Sequence, residues 1–63
     1  MTLYDVEVSF NITGTNQFGD KETLVASEVL TVLANDTIRA ESKATKEYLS
    51  RGNDVIKAVA CKL

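Results

Sequence analysis

Two carboxylates, Glu28 and Glu41, are the residues of this 63-residue chain whose placement raises the question of chemistry. Glu28 alternates with Leu30 and Val32 on one face of a predicted strand, and Glu41 falls near the middle of the inward arc of a predicted helix. Two inward-facing carboxylates suggest general acid–base chemistry, in which one group gives a proton and the other takes one. The remaining ingredients are missing. The chain has no His and a single Cys, so neither a zinc site nor a His-assisted nucleophile can be assembled. Glu41 is therefore expected to reach out over the sheet edge or to pair with Lys57 or Lys62, the alternative being a buried or partner-directed carboxylate. Glu28 carries the same two alternatives. A sheet with one helix is too thin for a deep cleft, so no catalysis, metal or cofactor is expected.

Two other groups invite the same scrutiny. Cys61, alone on the last predicted strand, reads as a small hydrophobe or a reactive thiol, and strand cysteines are more often the former. Arg39, Lys43, Lys46 and Arg51 resemble a nucleic-acid stripe, but Glu47 interrupts them and stands four residues before Arg51, as in a solvated helix face. Seven Lys and Arg against nine Asp and Glu give a net charge of −2, which argues against counterion-driven nucleic-acid binding. No apolar run is long enough to span a bilayer, and the alternating, acidic start does not read as a signal peptide. Asn11-Ile12-Thr13 and Asn35-Asp36-Thr37 then read as chance matches to the glycosylation pattern. An intracellular, cytoplasmic, reducing compartment is expected.

The elements that position these residues follow from periodicity. Tyr4, Val6, Val8, Phe10 and Ile12 alternate with Leu3, Asp5, Glu7, Ser9 and Asn11, which predicts a half-buried strand over 3–13. A Gly-containing polar stretch then reads as a hairpin loop. Residues 22–34 fit a helical spacing through Val25, Val29, Val32 and Leu33, but their Val and Thr content and hairpin-matched length favour a second strand. Asn35 and Asp36 are good N-cap residues, and Gly52 is a natural helix stop, which predicts a helix over 36–51 with Ala40, Ala44 and Tyr48 on one side. Residues 54–62 predict a third strand, with Ile56, Ala58 and Ala60 on the helix side and Val55, Lys57, Val59 and Cys61 on the other.

The expectation is one α+β domain of order β-β-α-β, an antiparallel sheet of strand order 2-1-3 with the helix on one face. With Tyr4, Val6, Val8, Phe10, Leu30, Val32 and Ala34 toward the helix, the reverse face carries Val25, Val29, Leu33, Val55, Val59 and Leu63 among Asp5, Glu7, Thr23, Thr31 and Lys57. Such a face is either β-branched surface or a binding face for another protein or a second copy. The second strand also has no Pro and no Lys inside it, so its edge lacks the common guards against strand pairing. The contact residues expected are Asp5, Glu7, Val25, Val29, Leu33, Val55, Lys57 and Val59. A domain of this size buries only about 60 % of its unfolded surface, which makes a partner a natural source of stability.

The spacing of Ala34, Ala40, Ala44, Tyr48, Gly52, Val55 and Cys61 resembles the small T7-phage-type inhibitors of bacterial RNA polymerase, over residues 28–61. The resemblance implies a β-β-α-β fold and a phage host-takeover protein that binds the host polymerase and blocks its transcription. In that family two arginines, two residues apart on the last strand, matter for binding. The matching positions here are Lys57, which keeps the charge, and Val59, which does not. The expected function is thus a small acidic module that binds and inhibits a host protein. The alternatives are a self-associating homodimeric structural module and, less in keeping with the charge, a nucleic-acid binder.

Overall fold

A carboxylate opens the helix and a glycine closes it. In the computed structural model, which describes residues Met1–Leu63, Asp36 is the N-cap of α1 (Thr37–Ser50), and its Oδ1 accepts from the Arg39 N–H at 2.7 Å. That contact satisfies one of the otherwise unpaired donors of the first turn, an effect of about 1 kcal/mol. At the far end Gly52, at φ 88°, donates to the Leu49 carbonyl and Asn53 donates to the Tyr48 carbonyl. This pair of bonds is a Schellman stop, and its left-handed position is one that glycine enters without a Cβ penalty.

Three strands complete the chain: β1 (Thr2–Thr15), β2 (Lys21–Ala34) and β3 (Asp54–Lys62). They form one antiparallel sheet of order β2-β1-β3, the expected β-β-α-β arrangement, with bounds within two residues of those read from periodicity. The hairpin turn is organised by Asn16. Its side-chain oxygen accepts from the N–H groups of Phe18 and Asp20, and its backbone N–H donates to the Asp20 carbonyl.

The core lies between α1 and one face of the sheet. Tyr4, Val6, Val8 and Phe10 of β1 meet Ala40, Ala44 and Tyr48 of α1, with Ala34 closing one end. The two helix alanines have no accessible surface, which lets the helix sit close to the central strand. Val6 and Val8 are fully buried, each worth about 1.5–3 kcal/mol by removal from water. Tyr48 stacks on Phe10 with ring centroids 5.5 Å apart. The helix is about 21 Å long and the hairpin strands about 46 Å, so the hairpin runs on past the helix along the molecule's 49 Å axis. Ile12, Leu24 and Phe18 lie on that overhang and remain exposed.

One feature of β3 departs from simple alternation. Ser9 pairs with Lys57 and Phe10 pairs with Val55, so Ile56 is an extra residue, a β-bulge. The bulge reverses the side-chain phase before it. Val55 packs against the core on the helix side, and Ile56 is half exposed. The expectation that Val55 belongs to the reverse face with Lys57 and Val59, and Ile56 to the helix face, is corrected accordingly.

Candidate functional site

The reverse face is built from rows of cross-strand neighbours. Leu33 and Leu3 are paired, and the Leu63 N–H donates to the Leu3 carbonyl, which brings three leucines to one end. The next row is Thr31, Asp5 and Cys61, in which the Thr31 hydroxyl donates to Asp5 Oδ1 at 2.6 Å. Val29, Glu7 and Val59 follow, then Ser27, Ser9 and Lys57, with the two serine hydroxyls 3.2 Å apart. Val25 and Asn11 end the run, Asn11 donating to the Asp54 carboxylate at 3.0 Å.

The structure therefore brings Asp5, Glu7, Val25, Val29, Leu33, Lys57 and Val59 to one face and leaves Val55 on the other. The pattern is an acidic stretch of the central strand, bordered on β2 by aliphatic residues alternating with hydroxyls and on β3 by Val59 between Cys61 and Lys57. Asp5 and Glu7 run down the middle, and Leu33, Val29 and Val59 stand at least half exposed beside them. Leu3 belongs to this face as well, and its alternation with Tyr4 was the signal for it. Nothing in this chain covers the face, since the one helix lies on the other side.

The two conspicuous carboxylates have structural partners and do not meet. Glu28, on β2, accepts from the Tyr48 hydroxyl at 2.9 Å. Glu41 accepts from the Ala60 N–H of β3 at 2.9 Å, so it reaches over the sheet edge rather than pairing with Lys57 or Lys62. The central strand separates β2, which carries Glu28, from β3, whose Ala60 N–H holds Glu41. Burial, reinforced by the adjacent Glu28 carboxylate, raises the Tyr48 pKa above its ordinary value, while Arg51, 5.0 Å from the ring centre, pulls it back.

On the outer side of α1, Arg39, Ser42, Lys43 and Lys46 line the molecule's one shallow hollow. Two of its three cations are engaged within the chain, Arg39 with Asp36 and Lys43 with the Leu33 carbonyl. Arg51 pairs with Glu47 at 2.9 Å, the i,i+4 contact that its spacing suggests. Cys61 is free and exposed on the reverse face. No helix is long and apolar enough to cross a membrane.

The two edges of the sheet are not equivalent. Leu3 bonds toward β3, so alternate β1 residues from Leu3 face β3 and those from Thr2 face β2. On β2 the residues that turn their N–H and C=O groups outward are thus Thr23, Val25, Ser27, Val29, Thr31 and Leu33. On β3 they are Ala58, Ala60 and Lys62. The Glu41 carboxylate blocks the middle of the β3 edge. On β2 only the Leu33 carbonyl is covered, by the Lys43 ammonium, and the edge from Thr23 to Thr31 is open. Comparison of the chain with protein-family models, with curated proteins and with solved structures returned no match.

Proposed function

We propose that this protein is a non-catalytic interaction module that binds another protein through the reverse face of its sheet. The observation that carries the reading is the uncovered band in which Leu3, Leu33, Val29 and Val59 flank Asp5 and Glu7. Apolar borders around a pair of carboxylates suit a partner surface that presents a basic side chain between apolar neighbours. Lys57 adds a cation at the margin of the band.

The resemblance to phage polymerase inhibitors makes bacterial RNA polymerase the first target to test, with the module acting in the cytoplasm as a host-takeover inhibitor. Lys57 and Val59, at the positions that resemblance singles out, are on the same face and point to the same surface. The test is binding to purified bacterial RNA polymerase, with transcription measured in parallel, for wild type and the double variant Lys57→Glu, Val59→Asp. Both positions are exposed, so the variant keeps the fold, which circular dichroism checks. Wild type is expected to bind and to slow transcription, and the variant to do neither. Equal behaviour of the two proteins would refute the reverse face as the functional surface.

A further inference from the structure

The open edge of β2 reads the same in both directions. Its outward-facing residues from Thr23 to Thr31 are Thr23, Val25, Ser27, Val29 and Thr31, a palindrome centred on Ser27. From this symmetry we infer that two copies of the chain pair edge to edge through β2, antiparallel, about a two-fold axis at Ser27.

Four observations converge on that occupant. First, the five residues carry unpartnered N–H and C=O groups, a preformed template for another strand. Second, the register matches like with like. Ser27 meets Ser27 of the second copy, Val25 meets its Val29, and Thr23 meets its Thr31. These are the hydrogen-bonded pairs, each exchanging two backbone bonds, about ten bonds in all. Third, the intervening residues agree from the helix side. Leu24 meets Leu30 of the second copy, and Ala26 meets its Glu28, so no like charges stand directly opposite. The Glu28 carboxylate is already held by Tyr48, which is stacked over the central strand. Fourth, the open stretch ends where the palindrome ends. Lys43 occupies the Leu33 carbonyl beyond Thr31, and a rival register centred on Val29 would need that carbonyl and would set Glu28 against Leu30.

The product is a six-stranded sheet with both helices on one face. Because Glu41 occupies the middle of the short β3 edge, association stops at the dimer instead of running on as a filament. The contact uses backbone groups at the edge and leaves the reverse face outward. Dimerisation thus sets two copies of the aliphatic and acidic band side by side, giving a bivalent surface. The inference is independent of the target proposed above, because Lys57 and Val59 lie two strands away from the new contact.

Sedimentation of the purified chain over a concentration series tests the pairing, together with three variants. Ser27→Pro removes an outward N–H that makes no bond within the chain, which the pairing needs; within the fold it costs only the Ser9–Ser27 hydroxyl contact. Val29→Lys places a charge on the edge beside Glu7 and serves if the proline variant unfolds. The double variant Val25→Glu, Val29→Lys sets a carboxylate of one copy opposite an ammonium of the other on both sides of the two-fold, and only in the Ser27-centred register. Wild type is expected to be dimeric, with the amides of Val25, Ser27 and Val29 protected from exchange as concentration rises. Val29→Lys and Ser27→Pro are expected to be monomeric, and the double variant dimeric again. A wild type that stays monomeric at every concentration would overturn the inference. So would a dimer unaffected by the single variants, or single variants that the double variant fails to rescue.

Discussion

Val55 and Val59 are the same side chain four residues apart on one strand, and an unbroken strand would turn both to the same face. Here they part company. Val55 packs partly buried against the core, while Val59 is 52 % exposed beside Glu7. Truncating either to Ala removes two methylene equivalents, and burial is worth about 0.8 kcal/mol for each. Full burial would make the loss about 1.6 kcal/mol, so partial burial sets Val55→Ala at about 1 kcal/mol. Val59→Ala falls below about 0.5 kcal/mol, as exposed substitutions generally do. In a domain of this size about 1 kcal/mol moves the thermal midpoint by roughly 4–8 °C. The assay is thermal and urea unfolding followed by circular dichroism, in a Val29→Lys background so that association does not contribute. Deleting Ile56 extends the test, since Lys57 opposite Ser9 and Val55 opposite Phe10 then form an unbroken ladder. That deletion should fold, with Val55→Ala still the costlier truncation. Equal midpoint shifts for Val55→Ala and Val59→Ala would refute the bulge and the face assignment that depends on it.

Two further outcomes follow from the helix-side contacts. Because the Tyr48 pKa is raised by burial and by Glu28, its stabilising contribution is complete below its ordinary value of 10.0 and is lost as pH rises through the folded value. Urea midpoints across that range should fall more steeply for wild type than for Tyr48→Phe, and parallel curves would count against the contact. Glu41→Ala should cost about 0.5–1.5 kcal/mol by removing the bond to the Ala60 N–H, which then turns to solvent, and it should also unblock the β3 edge. Light scattering is expected to show assemblies larger than a dimer in that variant, and an unchanged size distribution would show that Glu41 is not an edge guard.

Much of the fold was legible because its signals are local. The alternation from Tyr4 to Ile12 is a property of one strand, and Asp36 and Gly52 act through bonds within a few residues of themselves. The ambiguity of residues 22–34 also resolved on local grounds, since Val and Thr lose rotamer freedom in a helix. The face carrying Asp5, Glu7, Val25, Val29, Leu33, Lys57 and Val59 was legible for the same reason. Val55 was not, because a bulge arises from a mismatch between two strands. Ile56 carries no glycine or other mark to announce it, and β3 is phased by its pairing with β1 beneath the helix.

The uses of Glu28 and Glu41 were likewise beyond periodicity. Alternation and helical projection place both carboxylates on inward arcs, but the partner depends on what another element brings within reach. Tyr48 reaches Glu28 from the helix, and Glu41 reaches a backbone amide on an edge strand. The palindrome of Thr23, Val25, Ser27, Val29 and Thr31 was present in the sequence all along. It acquires meaning only when β1 pairs with β2 on one side and turns those backbone groups outward on the other. The order of the elements, their ends and their alternating faces are written in the linear chain, because each depends on neighbours along it. Which valine left the reverse face, which carboxylate closed an edge and which edge stayed open were settled by folding, because those depend on residues brought together across the sheet.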